Sequence, residues 1–416
     1  MYKEKSATLL AIFLPTILLL VILFTSPVHA QSQDEEPLAI ATYEFGERID
    51  FQAIISTSVP VDLAIIAFQE RDNPHTIVDR AQITALDDSN YKITYSHKTS
   101  DDSLRAFVTV QFHFELIFED GKELQIPGKE FIYVDDRVDW QWETRDEVNS
   151  PFQVYHSRKD DLKFGQDVLD KAQEGLKNLQ TLLPYAIPDP LTIIIYPDSQ
   201  TLQLALDKTS PDWVAGHADP ALGAIIIALP EGPDQYLLME QRIPHELMHI
   251  ALYQETKDGY LNLPTWLNEG LASLAELYPN PDYRILLDYA KENNDLLPIS
   301  ALCDGFPRDA SRALLAYAQA ASFTRYLYDS YGRPGMAKLV ETYTTGVDCD
   351  HGVQIALDKS LTQLERQWRS EVFSENITLI ALNNLLPWVL LTIVIIGAPL
   401  GLGMRKLRQK PQKDKS

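Results

Sequence analysis

The polar–apolar pattern changes character several times along the chain. From Leu38 to about Val134 it alternates with period two, in runs such as Arg48 to Ala53, Val61 to Phe68, Tyr91 to Tyr95 and Val108 to Phe118. These runs are rich in β-branched and aromatic residues and are separated by turn clusters such as Asp72-Asn73-Pro74 and Glu119-Asp120-Gly121. Short strands at this spacing predict an all-β sandwich of immunoglobulin-like type over residues 37–136, though without a Cys-Trp-Cys signature. A charged stretch, Asp135 to Asn149, reads as a boundary. Beyond it, Phe152 to His156 reads as a strand, Asp160 to Leu183 as a long amphipathic helix, and Leu191 to Tyr196 and Ala224 to Leu229 as buried strands. After Asp234 nearly everything reads helical, punctuated by Pro264, Pro279, Pro298, Pro307 and Gly332-Arg333-Pro334. Strands first and helices afterwards predicts an α+β domain over 152–372, with its site where the halves meet.

Both ends carry apolar runs. Lys3 and Lys5 precede an uncharged run from Ser6 to Phe24 and then Ser26-Pro27-Val28-His29-Ala30, the order of a signal peptide over residues 1–30, either cleaved after Ala30 or, since the run is long, kept as an anchor. Leu385 to Met404 holds no charge and is long enough for a transmembrane helix, and a basic tail of six Lys/Arg and one Asp follows in residues 405–416. The expectation is a single-pass protein of the cell membrane, with its folded part extracytoplasmic and its C-terminus cytoplasmic. Cys303 and Cys349 would then pair in an oxidising space, or remain small buried hydrophobes.

Composition narrows the options further. The 416 residues are 45% hydrophobic and 23% charged, which excludes low-complexity and wholly disordered readings. A net charge of −23 excludes a nucleic-acid partner, because phosphate binding needs clustered cations.

The chemistry concentrates at His245-Glu246-Leu247-Met248-His249, an HExxH motif. On a helix, positions i and i+4 share a face, so both imidazoles can address one metal ion, and Glu246 can reach water beside it without being a ligand. Two solvated histidines on a surface helix would give the same letters. The segment Pro264-Thr265-Trp266-Leu267-Asn268-Glu269-Gly270-Leu271-Ala272 changes the balance: a carboxylate in the first turn of a second, crossing helix completes a His2Glu set.

HELMH followed by WLNEGLA resembles the gluzincin metallopeptidases, most closely the peptidase MA-like group beside aminopeptidase N and thermolysin. The resemblance covers roughly residues 152–372 and is specific at these two motifs. It implies a thermolysin/aminopeptidase-like α+β fold and one Zn2+ held by His245, His249 and Glu269, with Glu246 as general base. It further implies that Tyr317, in Leu315-Ala316-Tyr317-Ala318-Gln319, donates to the oxyanion, with Tyr326 and His351 as fallback donors. Asn268 resembles a residue that orients one histidine. Where thermolysin-type sequences place an aspartate four residues after the third ligand, this chain has Ser273, which leaves Glu276 as a candidate support for the first histidine. Pro244 departs from the pattern as well. Proline costs about 3 kcal/mol inside a helix, so the metal helix is predicted to start or kink near Ile243.

Peptidases commonly bind substrate along a sheet edge, and Gly223 to Leu229 is either that edge or an interior strand. His217 offers a substrate contact or simple solvation. No Gly-x-Met-Glu-Asn element precedes HELMH, which favours an endopeptidase acting on a peptide or protein over an aminopeptidase. Two other readings compete: a zinc hydrolase of a non-peptide or envelope substrate, and a catalytically silent surface binding protein. The intact Glu246 argues against the last, since a binding module needs no general base.

Overall fold

In the computed structural model, residues 37–391 are described, except 72, 101–103, 145–149, 207–215, 374–384 and 389–390. The first strands are β1 Ile40–Glu44, β2 Arg48–Ser56, β3 Val61–Glu70, β4 Ile77–Arg80, β5 Gln82–Ala85, β6 Asn90–Lys98, β7 Thr109–Phe118, β8 Glu123–Pro127 and β9 Phe131–Ile132. They form two sheets, in the orders β1-β2-β6-β5 and β4-β3-β7-β8, with β9 also paired to β7. Alternation selects their inner faces: Ile49, Phe51, Ala53 and Ile55 of β2 and Val110, Phe112, Phe114 and Leu116 of β7 are buried. Phe51 meets Phe68 and Phe112 across the interior, at ring-centroid distances of 5.0 and 4.8 Å.

A third sheet follows, in the order β10-β11-β12-β14-β13, built from β10 Gln141–Thr144, β11 Phe152–His156, β12 Leu191–Tyr196, β13 Gly216–Asp219 and β14 Ala224–Ala228. Strands β11, β12 and β14 run parallel, while β10 and β13 pair antiparallel at the two edges. The inner strands read as unbroken apolar runs because both faces are covered. Leu191, Ile193, Ile195, Ile225 and Ile227 join the core beneath the helices. Ile194, Tyr196, Ala224, Ile226 and Ala228 join the core of the N-terminal sheets.

The helices are α1 Phe164–Leu182, α2 Ser199–Ala205, α3 Gln235–Thr256, α4 Thr265–Ala275, α5 Asp282–Glu292, α6 Ala310–Thr344, α7 Cys349–Leu357 and α8 Leu361–Phe373. Helix α6 is broken at Gly332, whose φ of 64° favours glycine. Trp266 of α4 packs edge-on against Phe323 of α6 at 5.0 Å, and Trp368 of α8 against the same ring at 5.7 Å.

Several expectations are corrected. Within the described part of the charged stretch, Asp135 is fully buried, held by Arg137 at 2.7 Å and by the Tyr196 hydroxyl at 3.2 Å, and β10 extends the third sheet. Of the two readings left open for Gly223 to Leu229, the interior one holds for β14, and the edge is β13. Helix α3 does not begin near Ile243 but runs through Pro244 from Gln235. The Glu240 carbonyl, which loses its helical donor at Pro244, accepts instead from the Leu277 backbone N–H at 2.9 Å. Gly175 of α1 makes room for the ring, since a Cβ there would lie 2.8 Å from Pro244 Cγ.

The single-pass membrane placement is also corrected. Crossing a bilayer takes about 20 continuous apolar helical residues, and among the described residues no helix is long and apolar enough to cross one. Of the expected transmembrane segment, only residues 385–388 and 391 are described. The signal segment 1–30 and the basic tail 405–416 lie outside the described residues. A membrane partner therefore has no support among the described residues.

Cys303 and Cys349 form a disulfide across 46 positions, tying the turn before α6 to the start of α7. Replacing both by serine is expected to lower stability by about 2–4 kcal/mol, read as a fall in melting temperature. An unchanged melting temperature would rule out a structural contribution from the bond.

Candidate active site

The site forms where α3 and α4 cross. His245 and His249 lie one turn apart on α3, with ring centroids 5.1 Å apart. Glu269, in the second turn of α4, places Oε2 at 3.4 Å from His245 Nε2 and 3.7 Å from His249 Nε2. One ligand atom from each of the three residues falls within 4.8 Å of the others. Tetrahedral coordination at about 2.0–2.1 Å sets neighbouring ligand atoms about 3.3 Å apart, so the two short separations fit a zinc-sized ion with only small adjustment.

The other ring nitrogens are occupied, which aims both Nε2 atoms inward. His245 Nδ1 lies 3.1 Å from Glu276 Oε1, and His249 Nδ1 lies 3.1 Å from Asn268 Oδ1. The Asn268 amide donates onward to the Tyr260 hydroxyl at 3.0 Å. Carboxylate or amide support of this kind fixes ring orientation and tautomer at metal sites. Asn268 and Glu276 thus stand where the sequence expectations put them.

Electrostatics point the same way. Burial alone would depress the His245 pKa, but hydrogen bonds to Glu269 and Glu276 and the charge of Glu246 outweigh it and hold the pKa well above the ordinary value. Burial opposes ionisation of Glu269, yet the adjacent histidines hold its carboxyl below the usual range. A field that retains a proton between these groups also attracts a divalent cation.

A cavity of about 450 Å³ opens beside the cluster, lined by Gly216, Arg242, His245, Glu246 and Tyr317 among others. Glu246 is buried, and a Cβ on Gly216 would overlap its Oε1, so only glycine at the start of β13 leaves the carboxylate this position. The Tyr317 ring lies 6.5 Å from that of His245 and edge-on to Phe306 at 4.8 Å. Burial, with the charges of Glu269 and Glu246, pushes the Tyr317 pKa far up and keeps its hydroxyl protonated. The fallback donors are elsewhere: Tyr326 stacks on Phe323, and exposed His351 bonds to Asp348. His217 is exposed on β13 and is not part of the cavity lining. Gly216 and Arg242 were missed in the sequence. Arg242 precedes Glu246 by four positions and was legible from helical spacing, whereas nothing local marks Gly216.

The chain is an enzyme of the zinc-dependent peptidase class. Residues 171–374 match the model of the Peptidase MA superfamily. No curated protein matches the chain. Among solved structures it is similar to native yeast LTA4 hydrolase, with 12% identity and a TM-score of 0.39 over 85% of this chain and 72% of that one. It is also similar to native leukotriene A4 hydrolase from Saccharomyces cerevisiae, with 12% identity and a TM-score of 0.31 over 77% and 65%. At these values the likeness supports no statement about substrate.

Gly270, next to Glu269, sets how closely α4 approaches α6: a Cβ there would overlap Thr324 Oγ1 and lie 2.7 Å from the Ala320 carbonyl oxygen. Gly270→Ala is therefore expected to cost about 1–3 kcal/mol through overpacking and to weaken divalent-metal binding together with the melting temperature. Wild-type metal affinity in that variant would show that Glu269 does not depend on this packing.

Proposed function

We propose that this chain is a zinc metallopeptidase that cuts within extended peptide segments, and that His245, His249 and Glu269 hold the ion. Glu246 is its general base, and Tyr317 its oxyanion donor. The convergence of three ligand atoms within 4.8 Å beside an open cavity carries this reading. Zinc at such a site supplies Lewis acidity, making water nucleophilic near neutral pH and polarising a carbonyl.

The chain's own groups do the rest. Glu246 accepts the proton of water as it attacks the scissile carbonyl carbon, then delivers that proton to the departing amine. Tyr317, protonated by virtue of its burial, donates to the oxygen that becomes negative. Glu276 and Asn268 hold the two imidazoles, so that reorganisation during the reaction is small. The outer strand β13 begins at the cavity with Gly216, and an extended peptide added along it would pass beneath Glu246 with residues on both sides of the cut bond. That path supports an endopeptidase. On the same reading, the peptidase unit takes in β10 as well as residues 152–372.

The test compares metal content and peptide-mixture cleavage for the full chain and for Glu246→Gln. One zinc per chain is expected in both proteins, with cleavage lowered about 10²–10⁴-fold in the variant. Gly216→Ala is expected to lower cleavage at least ten-fold while zinc is retained, because the overlap displaces only the far end of the Glu246 side chain. Cleavage that survives Glu246→Gln, or a wild-type protein that retains no zinc, would overturn the reading.

A further inference from the structure

The face of α3 that carries His245 and Glu246 continues one turn towards its N-terminus with Gln241 and Arg242, each four residues earlier and about 6 Å along the axis. Both residues line the same cavity. One Arg242 Nη1 donor is taken by the Ala228 carbonyl oxygen at the end of β14. No carboxylate among the described residues forms an ion pair with the guanidinium, which is only partly exposed. The Gln241 amide nitrogen is buried and has no hydrogen-bond partner among the described residues. A guanidinium without an ion-pair partner and a buried amide N–H without an acceptor thus belong to residues that line the same cavity as His245 and Glu246, one helical turn away. A desolvated guanidinium whose nearest opposite charge, Glu246, makes no ion pair with it is costly, and a carboxylate matches its fork of N–H groups with two parallel hydrogen bonds.

We propose that Arg242, assisted by Gln241, is a specificity-determining subsite that accepts a carboxylate of the substrate one to two residues from the scissile bond. The distance of one helical turn is what one or two extended residues span. That carboxylate belongs either to an acidic side chain or to a free C-terminus. The neutral amide isostere offers one acceptor oxygen, but it sets an NH2 group against the remaining donors and brings no charge to the guanidinium, so it is bound less well.

The inference rests on the peptidase reading, and the experiment separates the two. Four alanine-rich nonapeptides are compared on the zinc-loaded full chain: one with a single glutamate near the centre, its glutamine counterpart, and an all-alanine pair with a free or an amidated C-terminus. kcat/KM is measured with wild type, Arg242→Gln and Arg242→Lys, and binding is measured with Glu246→Gln. An acid-over-amide preference of at least ten-fold is expected in wild type, lost in Arg242→Gln and partly kept in Arg242→Lys. A preference within the glutamate–glutamine pair assigns the subsite to an acidic side chain, and one within the terminal pair assigns it to a C-terminal carboxylate. Equal handling of acid and amide by wild type, which needs no variant to fold, would overturn the subsite, as would a preference that survives Arg242→Gln. Tight acid-dependent binding without cleavage would keep the subsite and sink the peptidase reading. Cleavage without acid preference would do the reverse.

Discussion

The site depends on how tightly α4 is drawn against α3, and the device that draws it is a missing hydrogen bond. Pro244 has no N–H, so the Glu240 carbonyl one turn earlier is left without its helical donor. A carbonyl freed of its helical donor needs another partner, and the Leu277 N–H, just past the end of α4, supplies it at 2.9 Å. The residue before it, Glu276, bonds to His245 Nδ1 at 3.1 Å. One short segment therefore anchors the backbone of α3 and the first imidazole together. On the far side of α4, Gly270 permits the close approach to α6. Held from both sides, Glu269 has little room to leave the histidines.

The charges around this crossing are sorted by position. Glu246, Glu269 and Glu276 surround the histidines, and in a largely buried setting their fields are strong enough to reverse the effect of burial on His245. A net charge of −23 for the whole chain does not by itself produce this, because exposed charges are screened within about 10 Å. What matters is that three carboxylates are desolvated together, next to groups that share protons or a cation with them. Arg242 is on the opposite footing: burial lowers its pKa and the nearby Glu246 offsets this only in part. The cavity is consequently acceptor-rich at its histidine end and donor-rich one turn away.

The chemistry was the most legible part of the sequence: helical geometry places the i, i+4 histidines on one face, and the resemblance carried by HELMH and WLNEGLA supplied the carboxylate of the second helix. The strands of the N-terminal sheets were legible for the same reason, their apolar residues recurring with period two. What stayed hidden was non-local. Pro244 reads as a helix breaker because its remedy, Leu277, is 33 positions away. The segment Gly216-His217-Ala218-Asp219 is too short to show a period, so the edge of the sheet was sought in the strongly apolar β14. Asp135 lies in a run of charges that looks solvated, and only its contacts with Arg137 and Tyr196 reveal its burial. Apolar runs near the ends are legible as candidate spans, but apolarity over a length does not establish a helix of that length.

The N-terminal sheets are more than a spacer. Alternate residues of β12 and β14 point into their core, so removing them would expose Ile194, Tyr196 and Ile226 on the back of the catalytic sheet. Arg105 adds a polar tie. Its Nη1 meets Asp219 Oδ2 at 2.8 Å and its Nη2 meets Glu70 Oε2 at 2.7 Å, and both carboxylates are buried. Losing Arg105 would leave two uncompensated buried charges, the costly way to break such a pair. Asp219 ends the strand that Gly216 begins. The N-terminal sheets thus hold one end of β13 while Glu246 rests over the other, and the floor beneath the proposed general base is fixed from the domain that carries none of its chemistry.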